Sequence, residues 1–451
     1  GSRECRAPPW VRQRRSRVEC SQPCFSLTPF FSISLKIILY RVAFTAQRHH
    51  QPAKGIVPGM KAGKSAAART QPRWADRLRY FSEHQDEIVD TIRDLVEIES
   101  PSDNKAAVGR IAAYVAPRFE ALGGRTQLHR STDFGDSLQI DFAARATRKP
   151  VLLLGHYDTV YPLGTLTTMP CEVENGRLRG PGVLDMKSGI ALMLHAIAAL
   201  QAWHGQLPRP VTVFLVSDEE VGSHSSRKVT EALAKESAGV LVLEPAAGLR
   251  GAVKTARKGV GEYTLRVKGV AAHAGLDPGK GHSAILELAR QIAVVSKLNN
   301  LRQGVSVNPG IVRGGTRTNV IAAEASVGID VRIKSAKQAS GLDRKLRSLK
   351  PFDKHCRLEM IGAINRLPME RTAGVAALYK KAQEIARQIE WKLEEAAVGG
   401  GSDGNFTAGI GIPTLDGLGG VGDGAHAVHE FIVISELPRR ALLLAGMIES
   451  A

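Results

Sequence analysis

Cysteine is scarce in most of this chain. Of five cysteines, Cys5, Cys20 and Cys24 fall in the first 24 residues, and only Cys171 and Cys356 follow. Two distant cysteines cannot form a disulfide framework, and no CxxC pair is present to hold a zinc ribbon. Aromatic residues make up 5% of the chain, and they are not interleaved with basic side chains as a nucleic-acid-binding surface requires. No internal repeat is visible. Outside the partly apolar segment Phe25–Ala46, no stretch is expected to be long and apolar enough to span a membrane. Acidic residues are nearly missing from one end: residues 1–75 hold 14 Lys and Arg against only Glu4 and Glu19. The net charge of +17 therefore belongs mostly to that segment. The remainder is close to balanced, so nucleic acid and membrane are not expected as partners.

What is present fits a soluble globular protein of more than one domain. The 451 residues, 43% hydrophobic and 23% charged, exceed what a single core supports. Residues 1–72 carry many prolines and no sustained periodicity, and read as a basic, unstructured leader. Met60 is an internal candidate start. A signal peptide over residues 1–46 is the alternative, which would make the protein secreted or periplasmic rather than cytoplasmic. Order is expected to begin near Trp74. Residues 84–99 place Ile88, Ile92, Leu95 and Val96 on one helical face, and 104–122 form a second helix closed by Gly123 and Gly124.

Strands and helices then alternate. VLLLG (151–155), VTVFLV (211–216) and GVLVL (239–243) are buried-type strands, with an apolar helix over 187–201. Continuous apolar strands separated by helices predict a mostly parallel central sheet flanked by helices. From Arg257 the pattern changes. Segments 261–269, 305–313 and 325–333 alternate partially, with a helix at 282–298 between them, as in an antiparallel sheet with one solvated face. After Pro368 the earlier style returns, with helix 373–390 and strand 412–415. The expected organisation is an α/β catalytic domain in two parts, 73–256 and 366–451, interrupted by an inserted α+β domain over 257–365.

Each buried strand is followed by residues that bind metals. VLLLG leads to His156 and Asp158, VTVFLV to Asp218, Glu219 and Glu220, and GVLVL to Glu244. Asp185 opens the apolar helix, and His426 follows a glycine-rich stretch near the C-terminus. Ligands of open parallel sheets bind at the carboxyl ends of the strands. Each residue alone has an ordinary reading: a surface histidine, a helix cap, a solvated loop. Together, so many carboxylates at one rim repel one another and require cations. Imidazole with carboxylate suits zinc, and manganese or cobalt are alternatives.

The motifs GHYDTV (155–160), GVLDMKSG (182–189), SDEEVGS (217–223), LEP (243–245), GVAAHAG (269–275), GGTRTNVIAAEA (314–325), NRLPMERT (365–372), GGGSDGN (399–405) and GAHAVHE (424–430) resemble, in order, those of the zinc peptidase and deacylase family. That family includes glutamate carboxypeptidase, aminoacylase, acetylornithine deacetylase and succinyl-diaminopimelate desuccinylase. The resemblance spans residues 75–451 and is strongest to the glutamate carboxypeptidase branch.

It implies a pair of Zn2+ ions per subunit. His156 and Glu244 would bind one, Glu220 and His426 the other, and Asp185 would bridge them. Asp158 would orient His156, and Glu219 would be the general base. His426 is preferred to His429 because it lies four residues before Glu430. His273 matches a residue that assists catalysis across a dimer interface. Arg366, Asn319, Gly401 and Ser402, with Gly400, match the end that holds a substrate carboxylate, although Leu367 stands where proline is common. The inserted domain would be a ferredoxin-like lid through which two chains form a homodimer. The implied reaction is hydrolysis of an amide beside a free carboxylate, in either a peptide or an N-acyl amino acid.

Overall fold

The computed structural model describes residues 73–144 and 148–450. The basic leader expected over 1–72 lies outside the described residues.

The apolar strands assemble as their patterns require. Val151–His156, Val211–Val216, Gly239–Val242 and Thr414–Leu415 are parallel neighbours in a six-stranded sheet. Successive side chains of a strand point to opposite faces. Accordingly Val151, Leu153, Val213, Leu215 and Leu241 join one core, while Leu152, Leu154, Phe214, Val216, Val240 and Val242 join another. The first core is completed by helices Gln85–Glu97, Lys105–Ala121, Ser188–His204, Ala373–Arg387 and Leu437–Ser450. The second packs against helix Arg227–Glu236.

The inner part of the sheet is parallel, as expected, and two antiparallel strands complete one edge. Ser137–Phe142 pairs antiparallel to Val211–Val216, and Arg125–His129 pairs antiparallel to Ser137–Phe142 at the edge. Arg125–His129 is largely exposed, so it lacks the apolar run by which the inner strands were recognised.

Ser188–His204 also corrects an expectation. The helical stretch Val183–His204 is long and apolar enough to cross a membrane, but 89% of its apolar window is buried inside the protein. It is apolar all round because it packs between the sheet and helix Leu437–Ser450.

A four-stranded antiparallel sheet follows, ordered Ser306–Gly314, Glu324–Ile333, Gly259–Lys268, Arg357–Arg366. Helices Ala284–Ser296 and Ala336–Arg347 connect its strands. The sheet has a hydrophobic cluster of its own, with Tyr263, Leu265, Val327, Ile329, Val331 and Leu346. Its strand Arg357–Arg366 ends at Arg366, which reaches back to the first sheet.

Candidate metal centre

Strand register determines which side chains meet. His156 is paired with Val216, and Leu154 with Val242. The residues just past Val216 and Val242 therefore emerge level with His156, and these are the Ser217–Glu220 turn and Glu244.

The turn is built by Asp218. Its buried carboxylate accepts the Ser225 amide at 2.6 Å and the Ser225 and Ser226 hydroxyls at 2.8 and 2.6 Å. Asp158 holds the next two residues, accepting the amides of Glu219 and Glu220 at 3.3 and 3.2 Å and the Ser102 hydroxyl at 2.6 Å. With the backbone held at both points, the two glutamates diverge. Glu219 lies with His156 and Glu244, and Glu220 with His156 and Asp185.

Asp185 arrives on the segment that precedes the apolar helix. Gly182 there has φ +71°, and a Cβ on it would lie 2.6 Å from Thr159 Cγ2, so glycine is required. Glu430 secures the segment, accepting the amides of Gly182, Leu184 and Asp185 at 3.0, 2.7 and 2.9 Å and the Tyr161 hydroxyl at 2.6 Å. His426 comes from a loop where its own φ is +64°, an uncommon conformation for a residue with a side chain and one that concentrates at functional sites.

The side chains converge. His156 Nε2 stands 3.1 Å from Asp185 Oδ1 and 3.5 Å from Glu244 Oε1. His426 Nε2 stands 3.4 Å from Asp185 Oδ2 and 3.1 Å from Glu220 Oε2. Asp185 thus offers one oxygen to each histidine. The five residues expected as ligands are brought together, and Glu219 joins them. His429 is exposed, and only His426 contacts the carboxylates.

The electrostatics are those of a site that attracts positive charge. Burial opposes charge on His156, yet Asp158, Asp185 and Glu244 raise its pKa well above the ordinary value. Hydrogen bonds to Asp185 and Glu220 carry His426 to about 11. Burial pushes Glu220 up to about 7 and raises Glu219 strongly. Glu220 Oε1 is buried with no hydrogen-bond partner, a costly state for a carboxylate oxygen unless a cation meets it. Two imidazoles and four carboxylates in two overlapping groups fit a pair of divalent cations.

Other expected site residues are placed differently. The nearest partner of His156 Nδ1 is the Asp158 carbonyl at 3.0 Å, with the carboxylate at 3.5 Å. Asp158 therefore orients the ring through its backbone, while its side chain holds the Glu219–Glu220 turn.

Arg366 lies against the cluster. It donates to Glu219 Oε1 at 2.9 Å, Asp403 Oδ1 at 3.1 Å and Ser223 Oγ at 2.9 Å. The Ser402 hydroxyl donates to Asp416 at 2.7 Å, and the Gly400 and Gly401 carbonyls accept from Arg257. That loop supports the site from behind.

Asn319 and His273 are exposed on neighbouring loops, joined by the Ala274 amide on the Asn319 carbonyl at 3.0 Å. No hydrogen bond or ion pair among the described residues links either of them to the cluster. His273 Nδ1 accepts the amides of Gly275 and Leu276, both at 3.1 Å, so the neutral ring carries its proton on Nε2.

Sequence reasoning missed the supporting roles of Glu430 and Asp218, and missed Arg257 altogether. Arg257, fully buried, donates to the second oxygen of Glu244 at 3.2 Å and to both oxygens of Asp416 at 2.7 and 2.9 Å. Glu430 had a signal in its motif, because it lies four residues after His426. Arg257 had none beyond being a charge next to a strand end.

The family model for peptidase family M20/M25/M40 matches residues 152–450. The chain belongs to this family. Carboxypeptidase G2 from Pseudomonas sp. (strain RS-16) is 27% identical over 376 residues, covering 81% of this chain and 90% of that protein. Succinyl-diaminopimelate desuccinylase from Dechloromonas aromatica (strain RCB) is 28% identical over 327 residues, covering 68% and 85%. The fold also matches the crystal structure of a tripeptidase from Staphylococcus aureus, with a TM-score of 0.69, 22% identity and coverage of 81% and 98%. Together, M20 membership and the cluster support a metal-dependent hydrolase with a dinuclear site.

Proposed function

We propose that this M20 protein is a two-zinc amidohydrolase that releases a C-terminal, glutamate-like amino acid from a peptide or N-acyl conjugate. The observation that carries the reading is Asp185, with one carboxylate oxygen toward His156 and the other toward His426. His156 and Glu244 would hold one cation and Glu220 and His426 the other, with Asp185 between them. When bound, such a pair lowers the pKa of a water toward about 7 and polarises an amide carbonyl.

The chain's own residues supply the rest. Glu219 takes the proton from the attacking water and delivers it to the leaving nitrogen. Its burial, which raises its proton affinity, suits a group that must hold a proton between those two acts. Arg366 exchanges Glu219 and Asp403 for the substrate carboxylate, which frees the base as substrate arrives. Asn319 adds a donor from the inserted domain. Ser402 and Gly401 act through Asp416 and Arg257, fixing Glu244.

The order of the four-stranded sheet and its two connecting helices supports reading it as a ferredoxin-like unit. Its strand Ser306–Gly314 is an edge, and Ile311, Val312, Leu286 and Leu301 are 59–70% exposed. Those features support a lid that pairs with a second copy, where His273 would serve the partner's oxyanion through Nε2–H.

The likeness to carboxypeptidase G2 favours a carboxypeptidase, and the likeness to succinyl-diaminopimelate desuccinylase supports a deacylase as the second reading. A turnover panel of a glutamyl dipeptide, an N-acyl-glutamate, N-acetylornithine and N-succinyl-diaminopimelate separates the two by kcat/KM. Highest turnover of the first pair supports the proposal. Highest turnover of either of the other two substrates supports the deacylase.

A further inference from the structure

A second group of metal-binding side chains lies on the four-stranded sheet's side of the protein. His282, Asp353 and His355 each offer a donor atom, and the three atoms lie within 4.8 Å of one another. None of them belongs to the catalytic cluster. We propose that they form a separate site for one divalent transition-metal ion, with Zn2+ as its simplest occupant.

The ligands are held by backbone from two directions. His282 exchanges both backbone hydrogen bonds with Val270, at 2.8 and 2.9 Å. The turn carrying Asp353 and His355 is fixed by buried Glu287, whose two oxygens accept the amides of Phe352 and Asp353, both at 3.0 Å. The His355 amide donates to Asp353 Oδ1 at 2.9 Å, and the Cys356 amide to the Asp353 carbonyl at 2.9 Å. Asp353 Oδ2 lies 2.7 Å from His282 Nδ1, and the His355 ring stacks on that of His282 with centroids 4.0 Å apart.

An ordinary histidine–carboxylate pair accounts for two of these residues but not for the third, which stacks on the His282 ring with no hydrogen bond to its ring nitrogens among the described residues. Ligands of one zinc ion sit about 2.0–2.2 Å from it, so its donors stand roughly 3.2–3.6 Å apart; the His282–Asp353 contact at 2.7 Å opens slightly on binding and His355 closes in. His355 is exposed and reaches that spacing by turning its ring. Two imidazoles and one carboxylate leave a fourth tetrahedral position to water.

The location gives the site a role. The bridge between Val270 and His282 closes the loop that carries His273. Asp353 and His355 precede strand Arg357–Arg366, which ends at Arg366 in the catalytic cluster. One ion would therefore fasten the base of the His273 loop to the start of the Arg366 strand.

The test counts zinc per chain in protein equilibrated with buffered Zn2+, for the unaltered chain and for His355→Ala and Asp353→Asn. The proposal expects each variant to hold one ion fewer than the unaltered chain while keeping a cooperative thermal unfolding transition, which shows that it is folded. Equal metal content in all three overturns it. The ions left in the variants report on the catalytic pair, so failure of that reading is seen separately. If the variants do not fold, zinc-edge anomalous diffraction from the zinc-equilibrated unaltered protein decides: a peak among His282, Asp353 and His355 supports the site, and its absence overturns it.

Discussion

Glu430 accepts the backbone amide of Asp185 at 2.9 Å, although 245 residues separate them in the chain. The same carboxylate takes the amides of Gly182 and Leu184, so one buried side chain fixes the segment that delivers the bridging ligand. Replacing it with glutamine puts an NH2 group against amide donors and removes the charge. Glu430→Gln is expected to lower stability by about 1.5–3 kcal/mol and to weaken metal binding by about 10–100-fold. Denaturant unfolding and competitive chelation measure the two effects.

Glu219 is the cluster member whose loss should cost activity without costing metal. Glu219→Gln is expected to reduce kcat by about 10²–10⁴-fold while the metal content stays that of the unaltered protein. A variant that retains kcat assigns the base elsewhere, and one that loses metal makes Glu219 a ligand.

Arg257 neutralises two buried carboxylates, Glu244 and Asp416. Removing it leaves both without their cation. Arg257→Ala is expected to destabilise by about 3–5 kcal/mol, and Arg257→Lys to recover part of this, because lysine restores the charge but not the fork that reaches Asp416 twice. Equilibrium unfolding of the two variants reads the difference.

His195 predicts a pH dependence of stability away from the catalytic cluster. Burial, with a smaller contribution from His84, lowers its pKa from 6.5 to about 4, and its ring is hydrogen-bonded to Thr91 at 3.0 Å. Between these values the unfolded chain binds a proton that the folded chain refuses. The neutral ring's contribution is therefore complete above pH 6.5 and is lost as the pH falls toward 4, amounting to about 3 kcal/mol. His195→Gln, which cannot titrate, should lose less stability than the unaltered protein over that window. Parallel stability curves would remove His195 from the account.

Much of this site was legible in the sequence because it follows strand register. His156, Glu220 and Glu244 each come directly after an apolar run, and runs of that kind align in a parallel sheet. Asp185 and His426 were placed by motif, and they meet the others. What was not legible depends on side chains reaching across the fold. Arg257 meets Asp416 over 159 residues, and nothing near either one announces the pair. Arg366 was expected to face substrate. Its contacts with Glu219 and Asp403 were not legible, because buried carboxylates attract whichever guanidinium the fold brings nearest. The antiparallel edge of the main sheet was missed for a related reason: strand Arg125–His129 buries too little to carry an apolar pattern.

The central claim is that Asp185 stands between two cations. Anomalous diffraction at the zinc edge, from crystals of active protein, tests it directly. The account predicts two peaks about 3.5–4 Å apart on either side of Asp185, one beside His156 and Glu244 and the other beside Glu220 and His426. A single peak at Asp185, or none, in protein that hydrolyses its substrate would contradict it.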